Sequence, residues 1–210
     1  MSRLPGLLAA IVVVGALLLG WKKAPAPEPM TLPDIAAAVR ADPAWMQGDQ
    51  ACPADVMGPR DAPPLPESRF CDLDDDGSCL ARCKGGEGGS CYWLANRLEA
   101  AEADKQAVTA LFNESCRLGV ASGCTNRASY LFNHPRREAD AACALRSFER
   151  SCGRDDAWGC TMVAVQLTRD RAPSEDERRR VLDALGKSCL DGEDSPACIA
   201  GRNVGKSLKP

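Results

Sequence analysis

Cys116-Arg117-Leu118-Gly119-Val120-Ala121-Ser122-Gly123-Cys124 sets two cysteines seven residues apart, and the chain repeats that frame. Cys83/Cys91 and Cys152/Cys160 share the C-x7-C spacing, and Cys189/Cys198 has C-x8-C. Their first members follow one another at intervals of 33, 36 and 37 residues, a period that marks stacked supersecondary units. Phe112-Asn113-Glu114-Ser115, Phe148-Glu149-Arg150-Ser151 and Leu185-Gly186-Lys187-Ser188 precede three of the first cysteines. After the second cysteine, Ala95/Leu98, Ala128/Leu131 and Ala164/Leu167 follow at +4 and +7, one face of a helix. Each unit therefore reads as a helix A, a tight loop with Gly or Asp, and a helix B. Helices are expected over 91–102, 105–117, 122–133, 138–152, 157–169, 175–190 and 196–204.

In this frame the first cysteine ends helix A and the second begins helix B. A helical hairpin can bring such positions within the roughly 4.4–6.8 Å Cα separation of a disulfide. Closing a loop of nine residues contributes about 2.5 kcal/mol on the chain-entropy model. The expected clamps are Cys83–Cys91, Cys116–Cys124, Cys152–Cys160 and Cys189–Cys198. Cys52, Cys71, Cys79 and Cys143 remain, with three possible pairings. Cys71 and Cys79 again have C-x7-C spacing, which would leave Cys52 to Cys143; a buried free thiol at Cys143 is the alternative.

The chain has 12 cysteines in 210 residues, a density that points to an oxidising compartment outside the cytoplasm. Net charge is −3, and residues 1–23 hold three of the basic residues and no acidic one. The remainder is thus more acidic still, which argues against a nucleic-acid partner. Aromatic residues make up 5%, so the core must rely on aliphatic side chains and sulfur.

Residues 4–21 are uncharged and reach about 27 Å as a helix, close to a bilayer core of about 30 Å. With Trp21-Lys22-Lys23 behind it, residues 1–23 read as an amino-terminal membrane anchor; a cleaved signal is the alternative. Ten of the fifteen prolines fall between Pro25 and Pro66, so residues 24–70 read as an extended linker holding one short helix after Pro33-Asp34. Residues 71–204 form the repeat domain and 205–210 a tail. The chain is expected to be a monomer in the cell envelope.

These units resemble Sel1-like repeats, relatives of the tetratricopeptide repeat, and are most similar to the secreted bacterial cysteine-rich subfamily. The likeness rests on the four cysteine pairs, Gly123-Cys124, Gly159-Cys160 and the Ala/Leu positions of helix B, across residues 79–204. It departs at Arg202 and Gly205, where Ala and Leu would stand, and in the first unit, where Cys71–Ser78 is acidic and offers no full helix A. The resemblance implies an all-α superhelical solenoid of disulfide-clamped helix-turn-helix units. It further implies a non-catalytic scaffold that binds a protein or peptide along helix A faces. Asn113, Glu114, Glu149, Arg150 and Lys187 are the expected contributors, and Trp158, where other units have Gly89 and Ser122, is a candidate anchor.

The same resemblance brings an alternative, a β-lactamase-like or cell-wall-acting hydrolase. The chain lacks S-x-x-K, S-D-N and K-T-G, so no acyl-serine machinery supports it. The single histidine, His134, stands between repeats and reads as a bystander. Asp72-Leu73-Asp74-Asp75-Asp76-Gly77 matches half of a calcium loop, with Asp72, Asp74 and Asp76 as candidate Ca²⁺ ligands. Cys83 stands where the closing Glu belongs, so the site would need another donor such as Glu87. No other cofactor is expected.

Overall fold

A computed structural model describes residues 29–59, 71 and 75–208. The membrane-anchor segment, Asp72 and Asp74 lie outside these residues. Among the described residues the chain is all-α, with helices packed sequentially in antiparallel pairs: α4 (Asp76–Lys84) with α5 (Gly88–Ala100), α6 (Lys105–Arg117) with α7 (Ala121–Asn133), α8 (Ala139–Cys152) with α9 (Ala157–Thr168), and α10 (Glu175–Lys187) with α11 (Pro196–Ser207). No described helix is long and apolar enough to cross a membrane.

Disulfides tie each pair at its loop: Cys83–Cys91, Cys116–Cys124, Cys152–Cys160 and Cys189–Cys198, with Cα separations of 4.4–4.8 Å. Three residues after each first cysteine the backbone turns left-handed, at Gly86, Gly119, Asp155 and Gly192 (φ 94°, 90°, 66° and 106°). Glycine adopts that conformation without a Cβ penalty, which explains three of the four residues. A second constraint falls on the Gly before Cys124 and Cys160. A Cβ on Gly123 would lie 2.6 Å from Ser115 Oγ, and one on Gly159 2.8 Å from Ser151 Cβ. The last unit, with one more loop residue, meets the same need with Gly201 against Ser188. Arg202, at a position where the other units bury Ala, faces outward and pairs with Glu193.

Polar side chains join successive units. Asp156 caps α9 through Gly159 N (2.8 Å) and accepts from Ser122 Oγ (2.8 Å) and Thr125 Oγ1 (2.5 Å) of the preceding pair. Thr161 Oγ1 donates to Ala197 O at 3.0 Å. Apolar contacts do the rest, with Leu94, Leu98, Leu111 and Phe112 in one cluster and Leu131, Phe148, Val163 and Val181 in another.

Two expectations need correction. The first unit's helix A is short, nine residues against 13 or 14 in the others, but it begins inside the acidic stretch: Asp75 accepts from Ser78 N at 3.1 Å and starts α4, and Asp76 pairs with Arg97 of α5 at 2.8 Å. Acidic residues that read as a loop are its cap and first turn. The region read as an extended linker also behaves otherwise over residues 29–59. It forms α1 (Leu32–Arg40), α2 (Pro43–Gly48) and α3 (Pro53–Val56). Pro33, Pro43 and Pro53 stand at the first turns of these helices, where the missing N–H costs nothing and the fixed φ helps. The expected short helix is α1. Ile35 and Val39 are fully buried against α6, each contributing roughly 1.5–3 kcal/mol.

Candidate functional site

The polar face of α6 is where the sequence placed a binding surface, and it is covered. Residues Ala107 to Cys116 are all buried, including Thr109, Asn113, Glu114 and Ser115. The cover is the chain's own segment, residues 43–59. Asn113 Nδ2 donates to Gly48 O at 2.8 Å, and Arg127 Nη2 donates to Asp49 O at 2.8 Å. Ser147 Oγ accepts from Ala54 N at 3.0 Å, and Arg150 donates to Ala54 O. Gly58 N donates to Cys116 O at 3.2 Å, and Met57 packs on the Cys116–Cys124 bond. Side chains from α6, α7 and α8 thus read the main chain of a peptide segment.

One charge pair fixes that segment. Arg127 Nε lies 2.8 Å from Asp49 Oδ1, with side chains 3% and 6% exposed, and Arg136 approaches the other oxygen at 3.9 Å. Burial pushes the Asp49 carboxyl above its ordinary range, against the pull of Arg127 and Arg136, and the same burial pulls Arg127 down. Taking both charges out of water is costly, and losing either partner would strand the other. Arg127 escaped the sequence analysis, though a signal existed. It stands three residues after Cys124, where the neighbouring units have Leu94 and Val163, both buried aliphatics.

The remaining cysteines pair as Cys71–Cys79 and Cys52–Cys143, with Cα separations of 5.3 and 5.8 Å. No described cysteine is free, which excludes a free thiol at Cys143. Cys52–Cys143 ties the segment to α8 across 91 residues of chain.

The other expected binding residues fare differently. Glu114 is buried and held by Arg117 (2.5 Å), so it is closed to a partner as Asn113 is. Glu149 pairs with Arg180 and shares a cleft with Ala54 and Asp55 of the segment, whereas Lys187 pairs with Asp183 at the solvent-facing edge. Cover therefore declines along the chain: complete on α6, partial on α8, and absent on α10, which buries only Val181 and Ala184. Trp158 is 44% exposed at the start of α9, and Leu182, Leu190 and Ile199 are exposed nearer the carboxyl end. His134 caps the end of α7, beside the Tyr130 ring. Of the candidate calcium ligands only Asp76 is described, and it is engaged by Arg97. Glu87, the extra donor, pairs with Arg82 at 2.5 Å.

Comparison with known proteins finds no matching family model, curated protein or solved structure. The class that the fold defines is an all-helical, repeat-like domain with six disulfides. Those six disulfides point to an oxidising, extracytoplasmic location.

Proposed function

We propose that this chain is a non-catalytic, protein- or peptide-binding scaffold of the bacterial cell envelope, a superhelical solenoid of Sel1-like repeats held to the membrane by residues 4–21. One observation carries the reading: α6 and α8, both helices A, together with Arg127 of α7 already hold a peptide segment, residues 48–54, through Asn113, Arg127, Ser147 and Arg150. A surface that reads main-chain groups and one carboxylate has the chemistry of a peptide receptor. The face left open runs along α10, with Glu149, Lys187 and the exposed Leu182. Trp158 adds an exposed aromatic of the kind enriched in binding hot spots.

The test uses the full-length chain in detergent with a photoreactive residue at Lys187, Trp158 or Glu102. Envelope proteins should crosslink from Lys187 or Trp158 and not from Glu102, which lies in the α5–α6 loop. Equal crosslinking from all three positions, or none from any, would overturn the reading.

A further inference from the structure

We propose that Cys52–Cys143 is a redox latch: its reduction by a dithiol frees residues 49–59 from the helix face and opens Arg127, Ser147 and Arg150 to an acidic peptide. This deepens the peptide-binding reading and rests on it for the identity of the incomer. Three features separate this bond from the other five disulfides. Each of those joins residues only eight or nine positions apart, so a reduced pair stays within its own turn and recloses readily. Cys52 and Cys143 are 91 residues apart, and once reduced they can separate.

Reactivity is the second feature. The cysteines of the three central hairpin clamps are all buried, whereas Cys52 is half-buried at the surface. Cys71 and Cys189 are half-buried too. Among the described residues only Cys52 has a guanidinium at its sulfur: Arg146 Nη2, which also approaches Asp55, lies 3.5 Å from Sγ. That charge draws an incoming thiolate and favours the thiolate form of Cys52 once it is released.

The third feature is what the bond holds. The polar contacts of residues 49–54 are replaceable by another peptide: a carboxylate on Arg127, an amide N–H on Ser147, a carbonyl on Arg150, with Pro53, Ala54 and Met57 adding a small buried apolar surface. The apolar anchors Ile35, Val39 and Trp45 lie upstream in α1 and α2, so release stops near Gly48 and the rest of the segment stays docked.

The step balances as ordinary thiol–disulfide exchange. A thiolate of the dithiol attacks Cys52 Sγ, the S–S bond breaks, and Cys143 leaves as a thiolate that takes a proton from solvent. The second thiol of the reductant then attacks the mixed disulfide. That thiol gives its proton to solvent, Cys52 is released as a thiolate beside Arg146, and the reductant is left as its own disulfide.

Graded dithiothreitol on the full-length chain, followed by alkylation and peptide mass mapping, gives the order of reduction. Cys52 and Cys143 should be trapped at a reductant concentration about tenfold below that needed for any other pair. At that point amide exchange over residues 49–59 should rise at least about tenfold while residues 32–46 keep their protection. Reduction of a hairpin clamp first, or continued protection of 49–59 after Cys52 and Cys143 are alkylated, would overturn the latch. A fluorescent peptide copying residues 48–58 with Ser for Cys52 supplies a second arm. It should bind the D49A/C52S full-length chain, and the same peptide with Ala for Asp49 should bind about tenfold more weakly. If the latch opens but the peptide does not bind, the latch stands and the peptide-binding reading falls. If the clamps reduce first but the peptide binds, the reverse holds.

Discussion

The clamped hairpins and the segment laid across them are both stapled by disulfides, yet the bonds do different work. A clamp such as Cys116–Cys124 joins residues eight apart whose helices already pack together. Cys52–Cys143 joins residues 91 apart and holds down a segment whose buried apolar groups after Gly48 include Pro53, Ala54 and Met57. Short clamps reinforce structure that local sequence already favours. The long bond creates a neighbourhood that local sequence does not specify.

Removing one bond of each kind tests that contrast most severely. On the chain-entropy model the Cys52→Ser/Cys143→Ser pair loses about 4.6 kcal/mol, and Cys116→Ser/Cys124→Ser about 2.5 kcal/mol. Urea unfolding of the two variants should show that order, and a larger loss at the hairpin would reverse the comparison. Arg127→Ala comes next, with an expected cost of about 3 kcal/mol, because Asp49 is left buried and unpaired. Adding Asp49→Ala to it should recover part of that loss, as a double-mutant cycle would show.

Asp140 sharpens the contrast from the side of the hairpins. It is fully buried, and burial raises its pKa. The backbone N–H groups of Arg136 and Arg137 and the Arg137 side chain outweigh that and hold the carboxyl below its ordinary value. A depressed folded pKa adds stability above the unfolded value, near pH 4, and that stability disappears as pH falls through the folded value. Asp140→Asn should therefore cost about 2 kcal/mol at pH 7. The gap to the unsubstituted chain should close below pH 4; a gap that does not change with pH would show that the carboxylate charge is not what matters.

The smallest effects lie at the left-handed turns. Gly192→Ala meets open space and should cost about 1 kcal/mol from backbone strain alone. Gly119→Ala should cost more, because a Cβ there would lie 2.4 Å from Pro59 O, in the docked segment. Equal melting temperatures for the two variants would mean that Pro59 is not held against Gly119.

Much of the hairpin architecture was legible because its signals are local and repeated. Cysteine spacing, Gly or Asp at the turn, and Ala/Leu at helical intervals all act within one unit. The α4 helix was missed because its acidic residues have two readings, cap or loop, that only Ser78 and Arg97 decide. The segment 29–59 was misread for a related reason, since proline both extends free chain and begins helices, and burial of Ile35 and Val39 selects the second use. Of the expected binding residues, Glu149, Arg150, Lys187 and Trp158 reach the surface, while Asn113 and Glu114 are covered.

The sequence alone carried the helical, repeat-like architecture and its four hairpin clamps, and its cysteines pointed to an oxidising compartment, because covalent spacing and helical periodicity are properties of neighbouring residues. Only the tertiary structure shows that Cys52 meets Cys143, that Arg127 receives Asp49, and that the α6 part of the expected binding face is already filled. Those contacts bridge 78 and 91 residues, so closing them costs more chain entropy than any hairpin turn, and the surface that receives them is built by several helices at once.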